Sequence, residues 1–393
     1  MMHGFEFYTP TRVIFGEGSL AKLPEAVARC GAKRVFVVYG GQSAKKSGLL
    51  DRTEALLTGA GIAFAALGGV RPNPRLALAR EAVRQAVAFG AELILAVGGG
   101  SVIDTAKAVA HGTANPETDI WEFWAGRAAL TRTLPVGVVL TIPAAGSEMS
   151  DSAVLTNEEA QAKRGLNTDL NRPAFALMDP ALAATLPPRR AACGVTDIMM
   201  HTLERYVNPL ENDVTDEIAE ALLRVVIRHG EAVVKDPGDM DAMSEILWAG
   251  SLSHNNLTGL GGKKDFSVHQ LGHVIGEKFD VYHGETLSAM WASYARYVAP
   301  ANYARFARLA RRVWGITEAD DKAAAMAGID AAEAYFKRLG MPVRIAELSC
   351  GAQDEAGLED LALRCSRDRT RTIGSFRVLD NDDILKIYQM ANK

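Results

Sequence analysis

The sequence predicts a parallel-sheet α/β domain followed by an all-helical domain, and three observations predict it. Short runs rich in Val, Ile and Leu alternate with segments of helical apolar spacing through the first half of the chain. Beyond Leu186-Pro187-Pro188 the strand-like runs stop and helix-like segments follow one another to the C-terminus. The chain has 393 residues, about twice the length of a typical domain.

Taken in order, RVIF (12–15), RVFVVYG (34–40), IAFAALGGV (62–70), ELILAVGG (92–99) and VGVVLTIP (136–143) read as strands that end in Gly or Pro, and segments such as 75–89 read as the helices between them. AVLTN (153–157) and FALMD (175–179) read as further strands. Strand and helix alternating at this rhythm predict a Rossmann-like parallel sheet covered on both faces. Segments 191–207, 214–234, 241–258, 265–276, 284–298, 300–315, 319–339, 355–366 and 381–391 read as helices. Consecutive prolines break regular structure, so the boundary falls at Pro187–Pro188 and gives domains of 1–187 and 188–393.

Composition narrows the function. The net charge is −4 with both signs dispersed, so no basic stripe points to nucleic acid. No run of 18 apolar residues suggests a membrane span, and the N-terminus lacks a signal-peptide core. Cys30, Cys193, Cys350 and Cys365 are widely spaced with no CxxC, which fits a reduced, cytoplasmic protein rather than a disulfide framework. Cys193, four residues before Asp197, reads as a small core residue.

The chemistry concentrates in two places. Asp197 and His201 stand four apart in VTDIMMH, and His269, His273 and His283 lie in HQLGHVIGEKFDVYHGE. An i,i+4 pair on a helix shares a face, so Asp197 with His201, and His269 with His273, converge in pairs. Asp197, His201, His269 and His283 are a ligand set for a divalent metal acting as a Lewis acid on an alcohol or carbonyl oxygen. A carboxylate with no thiolate argues against a closed structural zinc site, and the substrate oxygen would enter as a fifth ligand, which Fe²⁺ accepts readily, with Zn²⁺ as the alternative. His273 is placed to carry a proton between water and the substrate oxygen, or else to hydrogen-bond the ligands. His254 reads as a helix-packing histidine. Trp121, Phe123, Trp124 and Phe266 suit an apolar pocket wall and core packing equally well.

The other site is nucleotide-like. ELILAVGGGSVIDTAKAVA runs strand, glycine turn, helix. Gly98, Gly99 and Gly100 allow close approach of a phosphate to the helix N-terminus, with Ser101 as the expected cap and Asp104 completing a capping box. After strand 34–39, Gly40, Gly41, Ser43, Lys45 and Lys46 follow with no Asp or Glu to hold a ribose diol. A 2′-phosphate meets no repulsion there, which favours NADP(H) over NAD(H).

GGGSVIDTAK, LTIPAAGSEMSDSAVLT, MDPALAATLPPRRAACGVTDIMMHTLERYV and SVHQLGHVIG…YHGETL together resemble the iron-containing (group III) alcohol dehydrogenases, nearest the butanol dehydrogenase and NADPH-dependent aldehyde reductase branch, almost from end to end. The resemblance implies a dehydroquinate synthase-like architecture, a dinucleotide-binding domain followed by a helical metal-binding one. It implies hydride transfer between NADP(H) or NAD(H) and short-chain primary alcohols or aldehydes, and a homodimer paired through N-terminal edge strands. It implies Asp197, His201, His269 and His283 as metal ligands, His273 beside the nicotinamide, and Asp104 as the acid facing the active-site end of the cofactor. Gly98, Gly99, Gly100 and Ser101 match the pyrophosphate turn, Thr141 and Lys163 the nicotinamide surroundings, and Gly40, Gly41 and Ser43 the adenine-ribose loop. Relatives usually carry threonine where this chain has Ala145, a hydroxyl contact of about 0.5–1.5 kcal/mol. The alternatives are an NAD-linked glycerol or polyol dehydrogenase and a dehydroquinate synthase-like lyase. The first ordinarily has three protein ligands, and the second needs basic residues that the metal motifs lack.

Overall fold

The structure, a computed structural model, describes residues 3–160 and 162–393. The chain groups into two compact units, Tyr8–Leu186 and Pro187–Lys393, the latter joined by residues 3–7. The sequence reading assigns 3–7 to the first domain. They group instead with the helical unit, where the backbone of His3 lies beside Gly261.

In the first unit the strands are β1 (Arg12–Phe15), β2 (Arg34–Tyr39), β3 (Ala63–Leu67), β4 (Leu93–Gly98), β5 (Val136–Leu140), β6 (Ser152–Asn157), β7 (Ala162–Asn167) and β8 (Phe175–Met178). The helices between them are α1 (Leu23–Arg29), α2 (Ser43–Lys46), α3 (Leu49–Gly59), α4 (Leu76–Phe89), α5 (Gly100–Ala114) and α6 (Ile120–Trp124). One parallel sheet runs β1-β8-β5-β4-β2-β3. Its central strands are apolar throughout because both faces are covered. Val35, Val37, Leu93, Leu95 and Val97 pack with Leu23, Val27, Leu50 and Leu57 of α1 and α3, while the alternate residues Phe36, Val38, Ile94 and Ala96 are equally buried on the other face. β6 and β7 form a separate antiparallel hairpin.

Strand order reverses between β2 and β4. After β2 the chain moves outward to β3, then crosses back to β4 and continues to β5. The crevice at the carboxyl ends of the strands beside such a switch point is where α/β sheets bind ligands. Gly40, just after β2, and Gly98, which ends β4, both lie against Val102 of α5: a Cβ on Gly40 would stand 3.7 Å from Val102 Cγ2, and one on Gly98 only 2.5 Å.

The sequence reading missed β7, since AKRGLN is polar with no buried residue and gives no alternation signal. The capping box at Ser101 does not form. α5 starts two residues earlier, with Gly99 at the cap and no capping side chain, and the Asp104 carboxylate is engaged elsewhere. Trp121, Phe123 and Trp124 belong to an apolar cluster with Leu76, Ile120 and Leu155, so they are core.

The second unit is helical: α7 (Pro188–Tyr206), α8 (Asp213–Lys235), α9 (Met240–His254), α10 (Ser267–Phe279), α11 (His283–Val298), α12 (Tyr303–Trp314), α13 (Asp321–Arg338), α14 (Glu355–Ser366) and α15 (Asn381–Ala391). Pro188 opens α7 at its first position, where a missing N–H costs nothing. α7 packs against α8, α9, α10 and α11. No helix among the described residues is long and apolar enough to cross a membrane.

Candidate metal centre and nucleotide loops

Three helices build the centre. Asp197 and His201 sit mid-helix on α7, both buried. His269 lies in the first turn of α10, and His283 opens α11. Two glycines let these helices close up. A Cβ on Gly272 would stand 2.7 Å from Thr286 Oγ1, and one on Gly284 2.5 Å from the Cys193 carbonyl oxygen.

One carboxylate oxygen organises the result. Asp197 Oδ1 lies 3.7 Å from His201 Nδ1, 3.6 Å from His269 Nε2 and 3.7 Å from His283 Nε2. These separations are too long for hydrogen bonds. They suit donors around one ion, because ligand bonds of 2.0–2.2 Å in a tetrahedral shell put neighbouring donor atoms roughly 3.4 Å apart. Asp197 Oδ1, His201 Nδ1 and His269 Nε2 are buried and make no hydrogen bond, a costly state that an ion would relieve. The donor atoms of Asp197, His269 and His283 all lie within 4.8 Å of one another. His201 stands to the side of that trio, stacked on His269 with ring centroids 4.6 Å apart.

The surroundings tune these imidazoles differently. Burial, together with His254, His269 and Arg205, holds His201 well below the usual histidine range, so the ring is neutral and one of its nitrogens is free of a proton. For His269 burial also opposes charge, but the Glu204 and Asp197 carboxylates outweigh it and raise the group to about 9. A cation at Nε2 would displace that proton, as metal binding to histidine ordinarily does. Cys193 is not in the donor group, and burial and Glu285 push its thiol up to about 12.

His273 lies beside the trio, its ring centroid 5.1 Å from His283 and 6.1 Å from His269. Phe266, in the left-handed region at φ 55°, puts its ring 5.1 Å from His269 and 6.2 Å from both His201 and His254. His254, read from sequence as a packing residue, meets His201 edge-on at 4.0 Å. Sequence reasoning missed Glu204, whose side chain is fully buried against His269. Its spacing, three residues after His201 and seven after Asp197, marks it as part of the same helical face.

In the α/β unit the glycine turn lies under the segment after β5. A Cβ on Gly99 would stand 2.9 Å from Ile142, and one on Gly100 3.0 Å from Ala145 Cβ. The Thr141 N–H donates to the Gly98 carbonyl at 3.2 Å. Gly98, Gly99, Gly100, Ser101, Thr141 and Gly40 are therefore neighbours. Gly41 and Ser43 follow on the exposed end of the β2 loop, where Lys45 lies over the Tyr39 ring at 5.4 Å.

Asp104 has both oxygens occupied: Oδ1 accepts from Ser147 Oγ at 2.6 Å and Oδ2 from the Val154 N–H at 2.9 Å. Burial raises its pKa against the pull of Lys107 and Ser147. Lys107, which sequence reasoning did not single out, is buried and lowered to about 8. It donates to Ser147 Oγ, Ser150 O and Ser152 O. Lys163 donates to Asn73 Oδ1 at 3.0 Å. Asp104 and Lys107 together pin the Ser147–Val154 segment over α5.

A parallel nucleotide-type sheet with glycine loops at its switch point, together with a helical unit carrying a buried Asp/His cluster, makes up a dehydroquinate synthase-like architecture. The family comparisons agree. The model of the iron-containing alcohol dehydrogenases matches residues 10–180, and that of the C-terminal region of the Fe-containing alcohol dehydrogenase family matches 191–392. The chain belongs to the iron-containing alcohol dehydrogenase family, and it is an NAD(P)-dependent oxidoreductase of that type.

Among its relatives, NADH-dependent butanol dehydrogenase A of Clostridium acetobutylicum is 35% identical over 99% of this chain and 100% of its own length. The NADPH-dependent aldehyde reductase YqhD of Escherichia coli is 32% identical over 99% and 100%. The crystal structure of NADH-dependent butanol dehydrogenase A from Thermotoga maritima superposes with a TM-score of 0.95 at 31% identity, covering 100% of this chain and 99% of that one.

Proposed function

We propose that this protein interconverts short-chain primary alcohols and aldehydes using a metal held by Asp197, His269 and His283, with His201 completing the set. The observation that carries the reading is the Asp197 Oδ1 atom, faced by three imidazole nitrogens at 3.6–3.7 Å with no hydrogen bond of its own. Relatives named for butanol and for aldehydes supply the substrate class. A divalent ion, Fe²⁺ or Zn²⁺, supplies Lewis-acid polarisation of the substrate oxygen when bound, and the nicotinamide supplies or accepts the hydride.

The chain's own side chains do the rest. Asp197 contributes negative charge to the donor set, and the buried, neutral His201 donates without proton loss. His273, partly exposed beside His283, carries a proton to or from the substrate oxygen. Phe266 shields the apolar side of the imidazole cluster. Gly98, Gly99, Gly100 and Ser101 receive the pyrophosphate at the uncapped start of α5, with Thr141 alongside. Asp104 acts in cofactor binding by holding the Ser147–Val154 segment, and Lys163 lies near it.

For the cofactor we favour NADP(H) over NAD(H). The loop after β2 offers Gly40, Gly41, Ser43, Lys45 and Lys46 and no carboxylate, although relatives with either preference are known by name. A homodimer is the proposed assembly. β1 is an edge strand, and Phe5, Phe7, Tyr8 and Phe15, in and just before it, are between 41% and 51% exposed. The proposed location is the cytoplasm, in keeping with four free cysteines. Initial rates of butyraldehyde reduction with NADPH and with NADH test the reading. A higher kcat/KM with NADPH supports it; a preference for NADH would overturn the cofactor assignment, and turnover of glycerol but no aldehyde would overturn the substrate class.

A further inference from the structure

Glu204 is an unusual buried group. Its side chain is fully inaccessible, and it spends both oxygens on one neighbourhood. Oε1 accepts from the Val268 N–H at 2.6 Å and the His269 N–H at 3.2 Å, while Oε2 meets His269 Nδ1. The cap residue of α10, Phe266, is left-handed and gives no side-chain cap of its own. The Glu204 carboxylate therefore arrives from α7 to take the second and third N–H groups of α10, which a Ser or Asp at the cap would ordinarily serve. With Nδ1 held by a carboxylate, the opposite nitrogen of His269 faces Asp197 Oδ1 and makes no hydrogen bond.

We infer that Glu204 is a positioning residue for the metal centre: it keeps the His269 proton on Nδ1 and so presents Nε2 as the donor atom. The inference rests on the metal reading proposed above. The chemistry is that of a carboxylate behind a ligating histidine, which fixes the tautomer and ring orientation and raises the basicity of the donor. Asp265 strengthens the frame. Its side chain accepts from the Ser267 N–H, the Tyr294 hydroxyl and the Ser375 and Phe376 N–H groups, so the start of α10 is held from both sides.

A helix cap alone would explain the Val268 and His269 bonds, so the test must separate capping from positioning. Glu204→Gln does this. The amide oxygen of glutamine can still accept from the two backbone N–H groups, but its NH₂ then donates to Nδ1 and drives the proton onto Nε2. If the amide turns round, donors face donors at the helix start in a buried site. Capping predicts a silent change in metal affinity, whereas positioning predicts a loss of about 10–100-fold.

The experiment titrates Co²⁺ into chelated full-length protein, followed by its d–d absorption, with the thermal midpoint of the chelated form as the control for folding. Wild type binding one ion, with Glu204→Gln binding 10–100-fold more weakly at an unchanged chelated midpoint, is the expected result. Equal affinity in the two proteins would overturn the inference while leaving the metal reading intact. Wild type that binds no Co²⁺ would overturn both. Should the variant fail to fold, ¹⁵N-histidine spectra of the Zn²⁺-loaded wild type decide. A slowly exchanging proton on His269 Nδ1 supports the assignment, and a proton on Nε2 overturns it.

Discussion

Gly284 lies so close to the backbone of Cys193 that a Cβ added to it would stand 2.5 Å from the Cys193 carbonyl oxygen and 2.6 Å from its Cα. This contact sets the start of α11 against α7 and so sets His283 beside Asp197. Backbone atoms cannot move aside as a flexible side chain can. Gly284→Ala should therefore push α11 outward, destabilise the protein by about 1–3 kcal/mol, and weaken metal binding at least about tenfold, a loss of ~1.4 kcal/mol. Thermal melting and a metal titration on the same preparation check both. A variant with wild-type affinity would mean that His283 is not placed by this contact.

His273 stands next to the donor trio without belonging to it. His273→Ala should keep its metal content, lose about 10²-fold or more in turnover as general acid–base groups do, and show an altered pH–rate profile. Metal analysis alongside pH–rate curves gives the answer. Loss of the metal would put His273 among the ligands instead.

The glycine turn makes a steric prediction. A Cβ on Gly99 would sit 2.9 Å from Ile142 Cβ, beneath the segment expected to line the cofactor. Gly99→Ala should raise the NADPH dissociation constant about tenfold or more, ~1.4 kcal/mol, with Co²⁺ affinity unchanged. Fluorescence titration of NADPH measures the first and absorption the second. Unaltered NADPH binding would detach this turn from the cofactor.

Stability should fall in mild acid through His111. Burial lowers this histidine to about 4, against a hydrogen bond to Asn171 that favours its charge. Nε2 pairs with Asn171 Oδ1 and Nδ1 with Thr133 Oγ1, both at 2.8 Å, which satisfies the neutral ring. Because the unfolded chain takes up this proton near its ordinary pKa and the folded one does not, the contribution is full above about 6.5 and is lost as pH falls toward 4. The window is worth up to about 3 kcal/mol. Urea midpoints between pH 7 and pH 4 should fall more steeply for wild type than for His111→Gln. Parallel slopes would contradict the assignment.

Much of this was legible in the sequence, and the exceptions have physical causes. The strands of the central sheet could be read because burial on both faces leaves near-continuous apolar runs, and β7 could not because AKRGLN buries nothing. The convergence of Asp197 with His201 follows from helical spacing alone. That α10 and α11 bring His269 and His283 to the same oxygen depends on Gly272 and Gly284, whose contacts join residues far apart in sequence. Glu204 stood on the correct face of α7, but its partner is a ring nitrogen 65 positions along the chain. Asp104 was read as a helix-capping residue; its bonds to Ser147 and Val154 are long-range and have no local signature.

Turnover should depend on a metal held by the cluster around Asp197. The most direct measurement is butyraldehyde reduction by chelated protein before and after restoring one equivalent of Fe²⁺ or Zn²⁺, with His269→Ala treated in parallel. Rates should be negligible without metal, recover in wild type when it is returned, and recover little in the variant. Full turnover by chelated wild type, verified as metal-free, would contradict it.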